Sequence, residues 1–407
     1  MDAKVRQITK GEIARQKEAI NLIASENYVS EEILKALGSP FTNKYAEGYP
    51  KGRYYGGNFF VDKIENLARE RALKLFKLSP KKWAVNVQPY SGSPANLAVY
   101  LALVPLGGKI MGMRLDMGGH LTHGHKVSAT GKIWKQVPYG VDAKTEKLDY
   151  KSLLKIAKKE KPCLIIAGFT AYPRKIDFKK FRAVADAAGA ILMVDMSHIA
   201  GLVAGGAHTS PFPYADVVTT TTHKTLRGPR SAIIFSHKNF AKEIDRAVFP
   251  GLQGGPHVNQ IAAVAVALSE AAKPSFKKYA RQIVKNAQAL AAELKRLGWR
   301  VVSGGTDNHL LLLDTWKRGV GGAKASDALE RVGIVVNKNT IPYDERKPFD
   351  PSGVRIGPAA MTTRGMKEKE MTKIAGLIDA ALLKKQSGKE IKMETLRLCR
   401  KFPLRYS

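Results

Sequence analysis

Three segments of the chain carry side chains that suit work on one reacting group. The first is Val217-Val218-Thr219-Thr220-Thr221-Thr222-His223-Lys224-Thr225-Leu226-Arg227-Gly228-Pro229-Arg230, a β-branched run that ends in a polar turn. A lysine leaving a strand end into a packed site is suited to Schiff-base chemistry, since burial and nearby charge tune its amine toward the nucleophilic form. The same string also suits a basic surface turn. The second segment is Ile191-Leu192-Met193-Val194-Asp195-Met196-Ser197-His198, where Asp195 closes an apolar run. At the carboxyl edge of an α/β sheet, an aspartate either caps the following turn or holds a proton on a ring nitrogen. His198 is equally open, as a core residue or a site residue. The third is Ser91-Gly92-Ser93-Pro94 ahead of an apolar helix. Hydroxyls and free amides at a helix start bind anions, and proline suits the first turn, although serine also caps helices that bind nothing. Together the three segments supply a phosphate cradle, a carboxylate for a pyridine-type nitrogen and an amine for an aldehyde.

Positioning these groups requires strand ends that converge. The apolar runs Cys163–Ala167, Ile191–Asp195, Val217–Thr219 and Ala232–Phe235 predict strands buried on both faces. They alternate with helices predicted over Val61–Phe76 and Ala95–Leu103, so the class is α/β with a mainly parallel, mixed sheet. After a helix over Ile261–Ala272, Lys273-Pro274 breaks the pattern. A helix over Phe276–Leu297, strands near Trp299–Val302 and His309–Leu313, a helix over Ala325–Val332, a strand over Gly333–Val336 and a final helix predict a smaller α+β unit. At the other end, a helix over Lys10–Asn21 precedes a loop, Asn43–Gly57, too rich in glycine and tyrosine for a helix. The resulting division is an N-terminal arm (1–57), a large domain (58–272) and a small C-terminal domain (273–407).

Composition narrows the class. The chain has 407 residues with 44% hydrophobic content, enough for a large core. It has no apolar run of membrane-spanning length, and the charged stretch Met1–Lys17 has no signal-peptide core, so a cytoplasmic protein is expected. The two cysteines, Cys163 and Cys399, lie far apart, which argues against a disulfide framework or a cysteine-rich metal site; no metal is expected. Net charge is +32. Such a charge suits nucleic acid in principle, but the lysines are scattered over polar helix faces, as at Lys151, Lys155, Lys158 and Lys159, without an arginine-rich arm or a zinc finger. A solvated basic surface is the expectation, with no nucleic-acid partner. Such a field still steers small anionic ligands inward.

The three segments stand in the order found in aminotransferase-like, fold-type I pyridoxal-phosphate enzymes, which need a lysine Schiff base and an acidic partner for the ring nitrogen. More specifically, the chain resembles the serine hydroxymethyltransferases over nearly its whole length. The strings that carry the resemblance are Leu22-Ile23-Ala24-Ser25-Glu26-Asn27-Tyr28, Asn43 to Tyr55, Gly118-Gly119-His120-Leu121-Thr122-His123-Gly124, Thr219 to Arg230, and Gly254-Gly255-Pro256.

The resemblance implies pyridoxal 5'-phosphate as cofactor and tetrahydrofolate as cosubstrate, with serine and glycine as the amino acids exchanged. It implies Lys224 as the Schiff-base lysine, Asp195 against the pyridinium nitrogen, His120 stacked on the ring, and His198 and Thr170 near the ring hydroxyl and substrate. Ser91, Gly92, Ser93 and His223 would hold the phosphate, with Gly254 and Gly255 of a neighbouring subunit. Thr221 and Arg230 would flank the lysine. Arg355 matches the arginine that grips the substrate carboxylate, a task for which a two-pronged guanidinium is suited. Glu47 matches the acid/base glutamate, and Tyr55, Ser25 and Tyr45 match residues lining the site. Because the Glu47 and Tyr55 positions reach a partner's site in the family, a homodimer with shared active sites is implied. Leu115, Gly119, Leu121 and Asn339 match positions lining the pterin pocket. One departure stands out: Gly357-Pro358-Ala359-Ala360 replaces the family's usual Gly-Thr-Pro-Ala, and proline removes an amide donor. Thr170 stands where serine is common, which keeps the hydroxyl. The competing readings are a folate-independent threonine or phenylserine aldolase, which would share Lys224, Asp195 and the phosphate cradle, and an RNA-binding protein on the same fold.

Overall fold

The computed structural model describes residues 2–404; Met1 and residues 405–407, which belong to the arm and the C-terminal domain expected from sequence, lie outside the described residues. The chain forms two compact units.

The larger unit comprises Val29–Thr170 and Lys175–Ala280. Its sheet has seven strands: β1 (Trp83–Asn86), β2 (Lys109–Met113), β3 (Lys135–Tyr139), β4 (Leu164–Ala167), β5 (Ile191–Asp195), β6 (Val217–Thr221) and β7 (Ala232–His237). Their order is β1-β7-β6-β5-β4-β2-β3. β2 to β6 pair in parallel, and only β7 runs antiparallel, to both β6 and β1. Central strands covered on both faces must be apolar throughout, and β4 is buried at every position. Helix Gly92–Leu103 covers one face, packing Ala95, Val99 and Tyr100 with Ile110, Ile166, Met193, Val217 and Ile234. The carboxyl ends of β4, β5 and β6 therefore stand side by side, with Asp195 in register with Thr219.

The smaller unit comprises the residues up to Tyr28, Ala171–Arg174 and those from Arg281 onward. The stretch grouped from sequence as the arm thus divides at Tyr28. An antiparallel sheet in the order Arg300–Val301, Leu311–Asp314, Gly353–Ile356, Asn337–Asn339 carries this unit. Ile20–Asn21 adds a parallel pair with Ile334–Val335. Leu22, Leu290, Leu311, Val354, Ile374 and Ile378 share its core.

Several expected elements shift. The first helix runs Ala3–Glu18, starting where Asp2 accepts from the Lys4 and Val5 amides, and it ends before Ile20 because that residue joins a strand. The single final helix is three: Ala359–Thr363, Glu368–Leu382 and Gly388–Lys401. Gly365, at φ +95°, turns the chain between the first two. The expected break at Lys273-Pro274 is present, with Pro274 opening helix Pro274–Arg296.

Candidate active site

Asp195 ends β5 with its side chain largely buried, where a bare carboxylate is costly. The surrounding bonds meet that cost. Oδ2 lies 3.1 Å from His123 Nε2 and accepts from Asn96 Nδ2 at 3.0 Å, while Oδ1 accepts from the Ser197 amide at 3.1 Å. Burial alone would push the carboxyl up, but the bonds from His123, Ser197 and Asn96 outweigh it and hold Asp195 well below the usual carboxylate range. Asn96 is itself oriented by Thr219, whose hydroxyl donates to its Oδ1 at 2.8 Å. Asn96 Nδ2 also reaches the Thr122 hydroxyl at 2.9 Å, and that hydroxyl lies 2.8 Å from His120 Nδ1. One hydrogen-bonded chain thus runs from the ring of His120 to Asp195. Close backbone approach makes it possible: a Cβ at Gly168 would meet the Asp195 carbonyl at 2.4 Å, and one at Gly112 the His123 carbonyl at 2.4 Å.

At the neighbouring strand end, β6 delivers Thr221, then His223 and Lys224. Burial first, and then the charges of Lys224 and Arg230, lower the His223 imidazole to about 3, so it is neutral at physiological pH. Its Nδ1 and the Thr221 hydroxyl are buried without a protein partner. Thr221 also approaches the start of helix Gly92–Leu103, where a Cβ at Gly92 would meet its Cγ2 at 2.7 Å. Ser91 caps that helix without a side-chain hydrogen bond. An uncapped helix start beside two buried polar atoms that the protein leaves unused fits a phosphate, and Asp195 fits a protonated ring nitrogen. Ser93 and Arg230 are exposed and His198 is buried nearby, its carbonyl accepting from Thr225 Oγ1 at 2.8 Å.

Glu47 sits in a hairpin built by Gly48–Tyr49 and Gly52–Arg53. The buried Arg53 guanidinium donates to the carbonyls on either side of Glu47, Ala46 at 2.9 Å and Gly48 at 2.7 Å. It also pairs with Asp62 at 2.9 Å and Glu65 at 2.7 Å. Tyr45 and Tyr55 meet edge to face at 4.9 Å. The Gly254–Gly255 turn lies against this group: a Cβ at Gly254 would stand 3.2 Å from Glu47 Oε1, and one at Gly255 would stand 3.5 Å from the Tyr45 ring. The charge of Glu47 raises the Tyr45 phenol, with burial adding to it.

In the smaller unit, Arg355 is buried on strand Gly353–Ile356. Its Nε donates to Asn337 Oδ1 at 3.1 Å and its Nη2 to Ser25 Oγ at 3.1 Å. Burial lowers its guanidinium to about 10, which leaves it charged at neutral pH. Gly357 explains how Ser25 arrives there: its amide donates to the Leu22 carbonyl at 2.8 Å, and a Cβ would meet Ala24 at 2.7 Å.

Over residues 1–378 the chain matches the serine hydroxymethyltransferase family. It is 53% identical, over 406 residues, to the serine hydroxymethyltransferase of Acidobacterium capsulatum, covering 99% of this chain and 94% of that protein. The chain belongs to the serine hydroxymethyltransferase family. Its activity is that of a one-carbon transferase, passing the hydroxymethyl carbon of serine reversibly to a reduced folate and leaving glycine. Serine hydroxymethyltransferases are fold-type I enzymes that depend on pyridoxal phosphate, and the aldolase and RNA-binding readings are not favoured.

Against this family, the structure adds residues that the sequence did not single out. Asn96 and Thr122 wire Asp195 to His120, His123 is a further partner of Asp195, Arg53 fixes the Glu47 hairpin, and Asn337 supports Arg355. His123 did lie in the Gly118–Gly124 string, which was its one available signal. Of the positions expected at the pterin pocket, Gly119 also has a packing reason, since a Cβ there would meet the Met113 carbonyl at 2.1 Å. Leu115 is half-buried in a 3-10 turn and Leu121 is exposed. The Thr170 amide donates to the Gly118 carbonyl at 2.8 Å, and Asn339 donates to the Thr340 carbonyl at 2.6 Å. The departure at Pro358 is accommodated: it caps helix Ala359–Thr363, a place that needs no amide donor, and its carbonyl accepts from the Thr362 amide at 2.8 Å.

Proposed function

We propose that this chain carries pyridoxal 5'-phosphate on Lys224, uses tetrahydrofolate as cosubstrate, and acts as a homodimer. The observation that supports this most strongly is Asp195, a largely buried carboxylate kept ionised at the end of a central strand. When bound, the cofactor would supply an aldehyde for the Lys224 amine and a ring that accepts the electron pair left at the substrate's α-carbon.

The chain's own groups have distinct tasks. Asp195 stabilises a proton on the ring nitrogen, and His120 covers the ring face at the other end of the same hydrogen-bonded chain. Ser91, Gly92, Ser93, Thr221 and the neutral His223 hold the phosphate, with Gly254 and Gly255 supplied by the partner subunit. Thr170, His198 and Arg230 flank the ring and the lysine. Arg355 binds the serine carboxylate, supported by Ser25 and Asn337, and so fixes the amino acid's orientation. Glu47 moves a proton at the serine hydroxyl or at the folate nitrogen, with Tyr45 and Tyr55 beside it. Leu115, Gly119, Leu121 and Asn339 line the pterin site.

Exposure supports the dimer. Tyr54, Tyr55, Phe59 and Phe60, on the Glu47 hairpin and the helix after it, are 83%, 46%, 65% and 67% exposed. That is more aromatic surface than a lone subunit ordinarily leaves in water. No helix among the described residues is long and apolar enough to cross a membrane. Both cysteines are free thiols, which supports a cytoplasmic, reducing setting.

The purified protein should be yellow, and borohydride should fix the reduced cofactor on Lys224, as read by peptide mapping. Conversion of serine to glycine should require added tetrahydrofolate. An equal rate without folate would favour the aldolase, and a colourless protein that cannot be reconstituted would overturn the cofactor reading.

A further inference from the structure

Tyr90 stands immediately before the Ser91–Ser93 turn, yet its side chain engages the Gly254–Gly255 turn, which the dimer reading assigns to the partner's site. Its hydroxyl donates to the Gly255 carbonyl at 2.8 Å. Its ring stacks on His257, with centroids 4.2 Å apart and planes 7° from parallel. The main chain beside it is tied to the same segment from the opposite side: the Tyr90 amide donates to Gln253 Oε1 at 3.4 Å, and Gln253 Nε2 donates to the Gln88 carbonyl at 2.7 Å. Gln253 is buried. Contacts from residues 88–90 therefore bracket Gly254–Gly255 at Gln253, at Gly255 and at His257.

That bracket answers a physical need. Two consecutive glycines have no side chains to pin their turn and the widest backbone freedom of any pair, so a turn that must present amides in one arrangement has to be held from outside. The hydroxyl of Tyr90 does this through the Gly255 carbonyl, and Gln253 does it one residue before the pair.

We propose that Tyr90 is a positioning residue that fixes the Gly254–Gly255 turn which its subunit lends to the partner's site, and thereby sets the affinity for the cofactor's phosphate there. This rests on the reading, given above, that Gly254 and Gly255 complete the phosphate site of the partner subunit. Tyr90 touches neither substrate nor reacting atoms; it acts through the glycines.

The test uses full-length apoprotein titrated with pyridoxal 5'-phosphate and, separately, with pyridoxal, which has the aldehyde and ring but no phosphate. Tyr90→Phe keeps the stacked ring and removes one hydrogen bond, so the dissociation constant for the phosphorylated form should rise about fivefold. The constant for pyridoxal should stay unchanged. Gln253→Ala, which loosens the same turn without touching Tyr90's ring, should shift the constants in the same selective way. A general loss of structure would instead weaken both ligands together. Equal weakening of both, or no change in either, would overturn the role assigned to Tyr90. If the wild-type protein itself failed to prefer the phosphorylated form, the phosphate reading would fall first, and the proposal with it.

Discussion

Asp195 and Glu47 are both carboxylates of the candidate site, and the chain holds them in opposite ways. Asp195 closes a central strand and accepts bonds from three neighbours, one of them, Asn96, a side chain itself fixed by further bonds. Glu47 lies half-buried in a hairpin where the firm contacts go to the main chain: Arg53 grips the carbonyls before and after it. The first arrangement fixes a charge and its direction together. The second fixes where the side chain starts and leaves its carboxyl, beside Tyr45, to respond to what arrives. A permanent counter-charge needs the former; a group that takes and returns protons needs the latter.

Breaking the fixed charge should have the largest effect. Asp195→Asn keeps the shape and loses the charge, so turnover should fall about 10³-fold, as expected for removing one member of a buried charge pair. Steady-state serine-to-glycine kinetics check this, and a near-normal rate would show that Asp195 is only a structural cap. Glu47→Gln should lower folate-dependent turnover about 10²-fold, at the low end for a general acid or base. Cofactor affinity should be unchanged in that variant, and a visible-absorbance titration separates it from Asp195→Asn. His123→Ala leaves both carboxylates in place but removes one support of Asp195, with a loss of about 10-fold. Glu47-dependent steps have no reason to respond to it, so the shape of the pH–rate profile should be retained.

A separate effect concerns stability rather than rate and reports on the strand-end region alone. An unfolded chain protonates His223 near pH 6.5, whereas the folded chain does so only at about 3. Between those values the unfolded state binds the extra proton, so stability falls as pH drops from 6.5 toward 3, by up to about 1.4 kcal/mol per pH unit. Above the unfolded value this group adds no slope. Denaturant melts of the apoprotein across this range should show the slope, and His223→Asn should flatten it.

Much of this was legible in sequence, for identifiable reasons. The run Ile191–Asp195 coincides with its strand because a strand buried on both faces has to be apolar without interruption. The Ser91 and Lys224 turns were visible from local chemistry. His123 was not, since nothing local tells which histidine of Gly-Gly-His-Leu-Thr-His-Gly turns toward an aspartate 72 residues away. The Lys10–Asn21 helix was placed too far along because Ile20 and Asn21 fit its spacing, while their actual partners are Ile334 and Val335. Arg53 looked like one more loop residue until Glu65 and Asp62 were seen to meet it.

The pairing of Ile20 with Ile334 also bears on the order in which a growing chain can assemble the site. Asp195 can meet His123 as soon as roughly the first half of the polypeptide has emerged. Ser25, made among the first residues, must wait across 330 positions for Arg355. Long-range closures of this kind come late in folding. The Ser25–Arg355 pair is therefore expected among the last pieces to form, and a chain stopped short of Arg355 would hold the strand-end charge without the guanidinium proposed to seat serine.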